Sequence, residues 1–281
     1  MKKFYLFWIL IFGISAYSQT VVTTIGKKKW LSAVIVKTDK SVLTGLIKEF
    51  GVQNTFEVRG IWDEFTSIES KLHLDQKSFD FKKDSDAAEQ NLSIDEVQTI
   101  TILYGDASTV RYDKVKLKTI NTKMEAVDLK REVLLPLYRE GKINLYAISV
   151  VVCSPNCSGG YVISYIKKPS DEFAYIPIDA NRINLFNIGS VDDKIIESFR
   201  QVSQGCPEFL KYLDDFTEKA KDKAFRKQIK ARWKSVDQEK DEALKTARDS
   251  KERKKIKDYY FAKRYLIFEM DMIDKYESIC N

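Results

Sequence analysis

The chain has 281 residues, of which 44% are hydrophobic and 31% charged, and its formal net charge is +6 at pH 7. This length is sufficient to bury a hydrophobic core and allows one large domain or two smaller ones. The single histidine, His73, excludes catalytic mechanisms and zinc sites that require two histidines.

The first residues predict a secretory signal peptide over residues 1–18. Lys2 and Lys3 give a positive start, and an apolar run follows over residues 4–14. A membrane-spanning helix needs about 20 apolar residues, so this run is too short to be one. Small residues at positions 16 and 18 favour cleavage near Ser18, and no cysteine follows that could carry a lipid anchor. A buried N-terminal element is the alternative, but we expect a protein exported to the periplasm or to the cell exterior.

Residues 19–190 predict a β-rich domain, because short runs of Val, Ile, Thr and aromatic residues alternate with turn-forming residues. Residues 31–37 and 42–48 predict a hairpin, and residues 109–119 an edge strand or a bulged strand. The stretch 132–138 fits either a strand or a short helix. The further predicted strands are 55–58, 70–74, 78–82, 97–104, 143–152, 161–167 and 173–188.

From about Asp192 the apolar period changes to about 3.6 residues, which predicts a helical region over residues 191–281. A first helix should end near Gly205, with Pro207 at the start of the next. Residues 237–257 predict a highly charged helix with Asp241/Lys245 and Asp249/Arg253 ion pairs. Residues 256–279 should pack on the β body and on neighbouring helices. The predicted fold class is therefore α+β, with an N-terminal antiparallel β-rich body followed by a docked C-terminal helical region.

The four cysteines predict disulfides, because an even count in an exported chain favours bridges over metal ligands. They are Cys153, Cys157, Cys206 and Cys280. Three pairings are possible; the spacing favours Cys153 with Cys157 and Cys206 with Cys280. The longer bridge would be worth about 4 kcal/mol in the chain-entropy model, and the shorter one about 2 kcal/mol.

No motif predicts a catalytic site, a cofactor or a metal. Residues 84–89 resemble the opening of a calcium loop but lack its third oxygen ligand and its glycine. Adjacent acid pairs on a strand point to opposite faces, so a glycosidase would need carboxylates that converge from different strands. Trp30 and Trp62 could stack on sugar rings, but core or half-buried strand positions are the favoured interpretation.

The segment 219–257 carries 16 basic and seven acidic residues, a net charge of +9. Such a surface could bind nucleic acid, anionic lipid or acidic polysaccharide, although a solvated helix face is the favoured interpretation. Export argues against nucleic acid.

Four segments resemble a loose group of exported proteins of unknown function in Bacteroidota: Thr44–Ile47, Leu134–Tyr146, Gly205–Leu210 and Tyr276–Cys280. The resemblance implies a strand-rich N-terminal part before a cysteine-bearing helical tail, and it supports the pairing of Cys206 with Cys280. It carries no catalytic residues.

These observations favour a non-catalytic exported module that binds a partner or belongs to the envelope. The alternative is a carboxylate-dependent hydrolase acting on glycans. A second alternative is attachment to an anionic surface through the basic helix 219–257. The partner is open, an envelope protein or an anionic polymer, and the mature chain contains no predicted transmembrane segment.

Overall fold

The structure, a computed structural model, describes residues 30–48, 55–57, 77–103, 109–153, 159–177 and 191–280. Its strands precede its helices, so the predicted α+β class is confirmed. The strands are β1 (Trp30–Lys37), β2 (Val42–Lys48), β3 (Thr55–Glu57), β4 (Ser78–Lys82), β5 (Gln90–Ser93), β6 (Val97–Leu103), β7 (Thr109–Ile120), β8 (Ala126–Arg139), β9 (Asn144–Cys153), β10 (Gly159–Lys167) and β11 (Phe173–Ile176). The helices are α1 (Val191–Val202), α2 (Pro207–Ala220), α3 (Lys223–Thr246), α4 (Ser250–Tyr265) and α5 (Ile267–Ile279), and a short 3-10 helix covers Ile94–Glu96.

The strands form one continuous sheet, part of which closes on itself. β7, β8, β9 and β10 pair in antiparallel order, and β11 pairs with both β10 and β7, which closes a ring of five strands. From β7 the sheet extends outward through β6, β1, β2, β4 and β5. The short β3 pairs with the end of β9 in parallel.

Three groups of buried apolar side chains hold this arrangement together. The first fills the ring and comes from all five of its strands, with Tyr146 and Tyr165 as its largest members. The second lies under the outer strands β1, β2, β4 and β6. The third joins the outside of the ring to the helices, where Phe199 and Phe209 are completely buried. The helical region therefore shares a core with the ring.

The strand predictions agree with the structure in most places. The hairpin of β1 and β2 is confirmed with a register that pairs Val36 with Val42. β7 is bulged between Lys116 and Lys118, but it is not an edge strand, because it pairs with β6, β8 and β11. The stretch 132–138, which fitted strand or helix, belongs to the 14-residue strand β8. Residues 133–138 are all buried, because one face fills the ring and the other is covered by the outer strands or the helices. Burial on both faces removes the alternation that identifies a strand.

The helical region starts as predicted and then differs. Pro207 opens α2, and Gly205 adopts a left-handed φ of 102° between α1 and α2. The predicted charged helix 237–257 is wrong as a single element, because α3 ends at Thr246 and α4 begins after Asp249, whose carboxylate caps the Glu252 amide.

Both predicted ion pairs of that segment are also wrong. Asp249 lies at the cap of α4, outside the helix that the pairing with Arg253 requires. Arg253 instead donates to the Leu244 carbonyl, and Lys245 pairs with Glu242 rather than Asp241. α3 and α4 consequently form a helical hairpin.

Several predictions fall outside the described residues. These are the signal peptide over residues 1–18, the strand at 70–74, the strand continuation beyond 177, His73, Trp62 and Cys157.

Candidate functional site

The acidic loop after β4 uses its carboxylates to organise its own backbone. The Asp84 carboxylate accepts the amides of Asp86 at 3.0 Å and Ala87 at 2.8 Å. Across the described ranges, no group of three or more His, Cys, Asp or Glu side chains is placed to hold a metal. The loop therefore has a structural explanation in local turn formation.

Carboxylates converge in two pairs, but each pair surrounds a cation. Asp80 and Glu89 both contact Lys48, at 3.3 Å and 3.2 Å. Asp274 and Glu277 both contact Arg139, at 2.6 Å and 2.7 Å. Both carboxylates of each pair bind a cation of the protein itself, whereas the two carboxyl groups of a glycosidase must face the scissile bond of a substrate. These pairs are better suited to stabilisation than to acid–base catalysis.

A polar cluster closes one end of the ring. The buried Asp113 accepts hydrogen bonds from Arg111 Nε at 2.7 Å and from Tyr146 Oη at 2.9 Å. Burial, followed by the charge of Asp113, raises the pKa of the Tyr146 phenol, so this group stays protonated and donates. Burial alone would lower the pKa of Arg111, but Asp113 and Glu140 outweigh it and raise that pKa. The cluster is an internally satisfied ion pair rather than a reactive site.

Trp30 occupies the half-buried strand position that the sequence favoured. The ammonium groups of Lys82 and Lys48 lie 4.9 Å and 5.7 Å from its ring centroid. The indole ring of Trp30 is therefore already in contact with cations of the protein itself.

We call the contact between the β8–β9 turn, the end of α5 and the start of α2 the junction; it comprises Arg139, Lys142, Cys206, Glu277 and Cys280. The predicted bridge between Cys206 and Cys280 is present. Lys142 Nζ donates to the Cys280 carbonyl, and Arg139 joins Glu277. Three of the four segments that carry the sequence resemblance meet here, which explains them as structural motifs. Of the other two cysteines, Cys153 ends β9.

The base of the α3–α4 hairpin is firmly packed. The Phe225 ring meets the Phe216 ring edge-on with their centroids 5.2 Å apart. Arg232 binds both carboxylate oxygens of Asp271, with Nη2 to Oδ1 at 2.8 Å. The Arg264 guanidinium lies 5.7 Å from the Trp233 ring centroid. These contacts fix the rotation of α3 about its own axis, so one face of the helix is turned to solvent.

That solvent face carries four lysines in a row, which we call the lysine stripe: Lys223, Lys227, Lys230 and Lys234. All four are exposed. Their separations of four, three and four residues place them within an arc of about 60° on a helix of 3.6 residues per turn. The apolar positions Phe225, Ile229, Trp233 and Val236 are buried or half-buried and lie on the opposite side of the helix.

The lysine stripe has no acidic partners within the part of the chain that the structure describes. Four other lysines of the hairpin are matched. Each of these four joins a carboxylate of α3 or α4: Lys240 with Asp237, Lys245 with Glu242, Lys254 with Asp258 and Lys263 with Glu239. The lysine stripe is thus a group of four unmatched cations on one face of α3.

The location of these lysines at the start of α3 is unfavourable for the helix itself. The first turn contains no acidic residue, and the Asp222 cap is the only carboxylate that opens the helix. The amino end of a helix carries partial positive charge, and lysines four residues apart repel each other. The sequence interpretation treated 219–257 as one basic region and missed this arrangement. The signal was the four-three-four spacing of lysines opposite the apolar positions.

Among the described helices, none combines the length and the apolar composition needed to cross a membrane. No known protein family, curated protein or solved structure matches the chain. The functional argument therefore depends on the geometry of the chain's own residues.

Proposed function

We propose that this protein is a non-catalytic exported binding protein that holds an anionic partner against the lysine stripe. The observation that carries the proposal is the unmatched charge of the four aligned lysines, beside four other lysines of the hairpin that each have a carboxylate partner. A row of like charges on a rigid, packed helix lowers the helix stability unless a partner of opposite charge neutralises the row. A bound polyanion would neutralise it.

The rest of the described surface supports a binding role over catalysis. The carboxylates that converge are held by Lys48 and Arg139, and the buried Asp113 is committed to Arg111 and Tyr146. The hydrolase alternative would need an acid and a base that are free to exchange protons with a substrate. No observation among these residues favours it.

Export is supported by two features of the chain. The start of the sequence has the pattern of a signal peptide, and the Cys206–Cys280 bridge is of the type that persists in oxidising compartments. Expression of the full chain in a bacterial host with a Sec pathway tests this proposal. We expect the protein in the periplasm or the medium with Gln19 at its new N-terminus; intact protein retained in the cytoplasm would contradict export.

The binding surface can be tested with two variants of equal charge. The stripe variant carries Lys→Gln at 223, 227, 230 and 234, and the control variant carries Lys→Gln at 240, 245, 254 and 263. On a cation-exchange matrix at pH 7, we expect the stripe variant to elute at clearly lower salt than the control variant, because its lysines are free to contact the matrix. Elution of both variants at the same salt would contradict the proposal, since net charge alone would then explain retention.

A further inference from the structure

We infer that the anionic partner is a linear acidic polysaccharide, which lies along α3 and places successive carboxylates beside successive lysines of the stripe. This inference rests on the proposed function and adds the class of the ligand to it.

The spacing favours a chain with regularly repeated charges. At 1.5 Å per residue, the separations of four, three and four residues give rises of about 6, 4.5 and 6 Å and a total length of about 16 Å. A single small anion could contact two lysines at most, so the outer ammonium groups would remain unmatched. A polymer with one acidic group on each repeating unit would match all four.

The surface is a single row, which distinguishes a polymer chain from a membrane. Helices that lie in a bilayer surface bury an apolar face among the lipids and place lysines beside it. The apolar face of α3 is already used inside the protein, where Phe225 contacts Phe216 and Val236 is buried. On one flank of the lysine stripe the exposed neighbours are the small Ala224 and Ala231, and on the other flank the Trp233 ring is covered by the Arg264 guanidinium. The stripe therefore offers no free large apolar side chain for insertion.

The same face lacks the groups that recognise nucleic acid. Proteins that bind single strands stack bases on exposed aromatic rings, but the Trp233 ring is covered by Arg264 of α4 and the Phe225 ring packs against Phe216. Duplex DNA presents one charge per about 1.7 Å of its axis, which is much denser than the row of lysines. A polysaccharide with one carboxylate per sugar fits the sparser charge better.

Lysine is also the cation expected for this ligand. Arginine offers a planar fork that selects individual carboxylates or phosphates in a fixed orientation, whereas lysine offers a point charge on a flexible stem. The arginines of the hairpin with described contacts make contacts within the protein: Arg232 with Asp271, Arg253 with the Leu244 carbonyl and Arg264 with Asp237. The lysine stripe therefore recognises the charges of a ligand and their spacing, not the orientation of each acidic group. Such recognition is suitable for a flexible polymer.

The test is a calorimetric titration of the mature protein with polygalacturonate, a linear polycarboxylate. Fully methyl-esterified polygalacturonate is the matched control, because it keeps the backbone and loses the charge. We expect binding of the charged polymer only, weakened about tenfold or more in the stripe variant and about twofold or less in the control variant. The affinity should fall with salt at a log–log slope of about −3, as for four neutralised charges on a single-stranded polyanion.

Oligogalacturonates of increasing length test the alignment along α3. The affinity should rise steeply until the oligomer covers the lysine stripe and then level off. Equal affinity for the monosaccharide and the long oligomers would overturn the inference of a linear ligand, because one lysine pair would then be sufficient.

Binding to vesicles that contain phosphatidylglycerol is measured as well. This measurement distinguishes a wrong ligand class from a wrong binding surface. If the stripe is needed for binding to the vesicles while polygalacturonate does not bind, the ligand class is wrong and the binding surface stands. If neither probe binds the wild type more tightly than the stripe variant, both proposals are overturned. A circular dichroism melt of each variant verifies that it is folded in these experiments.

Discussion

The junction and the lysine stripe both involve helices of the C-terminal region, but their charges are arranged in opposite ways. At the junction Arg139 lies between Asp274 and Glu277, Lys142 reaches the Cys280 carbonyl, and a disulfide closes the arrangement. In the lysine stripe four cations lie in a row without described acidic partners. The junction therefore uses charge to hold the helices on the ring, whereas the stripe keeps its charge available.

We therefore expect the junction to determine the stability of the fold and the lysine stripe to determine binding. Changes at the junction should lower the free energy of unfolding and leave the binding of the folded protein intact. Changes in the stripe should do the reverse. Four predictions test this separation, in order of their expected effect on stability.

Replacement of both Cys206 and Cys280 by serine should have the largest effect. The bridge closes a loop with a sequence separation of 74 residues, and its removal should lower the free energy of unfolding by about 4 kcal/mol. Urea unfolding followed by circular dichroism measures this loss. The folded variant should still bind polygalacturonate like the wild type; a loss of stability below about 1 kcal/mol would contradict the role given to the junction.

The Arg139→Gln substitution should cost about 2 kcal/mol, because two carboxylates on α5 would lose charge-assisted hydrogen bonds to a largely buried guanidinium. Arg200→Gln is the matched control. Arg200 contacts Asp214 at the exposed surface between α1 and α2, so its removal should cost about 1 kcal/mol or less. If urea unfolding gives equal losses for the two variants, Arg139 contributes no more to stability than an ordinary surface ion pair.

The Gly141→Ala substitution should have a smaller effect that depends on Arg139. A Cβ atom at this position would clash with the Glu277 carboxylate, which would have to move away from Arg139. We expect a loss of about 1 kcal/mol in the wild type and almost none when Arg139→Gln is already present. A double-mutant cycle measures this coupling, and additive losses would mean that Gly141 acts independently of the Arg139 ion pair.

The stripe variant should show the smallest change in stability and in the opposite direction. Substitution of the four lysines removes repulsion at the amino end of α3, so the midpoint of thermal unfolding should stay the same or rise slightly. The control variant loses four ion pairs and should melt slightly earlier. Scanning calorimetry can resolve the two; a clear decrease for the stripe variant would indicate that its lysines stabilise the fold.

The sequence predicted much of the fold where one face of an element is buried. The β1–β2 hairpin and the start of α2 at Pro207 follow from local turn and cap chemistry, which operates over a few residues. Closure of the ring was not predictable, because the parallel pairing of β11 with β7 joins segments more than 50 residues apart. The strand β8 was ambiguous for a related reason, since the groups that cover its outer face come from distant parts of the chain.

The candidate site was predictable in its location but not in its form. The net charge of residues 219–257 indicated a basic surface, but the pairing of that charge depends on the break at Asp249 that folds α4 back along α3. This fold brings Glu239 to Lys263 and Asp237 to Arg264, which pairs charges of α3 with charges of α4. Only after those pairs are known do the lysines of the first half stand out.

Lysine reactivity footprinting compares the two halves of the hairpin in a single molecule and tests the central claim most directly. The wild-type protein is labelled with an amine-reactive reagent, with and without polygalacturonate, and each lysine is quantified by mass spectrometry. We predict that Lys223, Lys227, Lys230 and Lys234 lose reactivity on binding, while Lys240, Lys245, Lys254 and Lys263 keep theirs. Protection spread evenly over both sets, or confined to the second set, would contradict the assignment of binding to the lysine stripe.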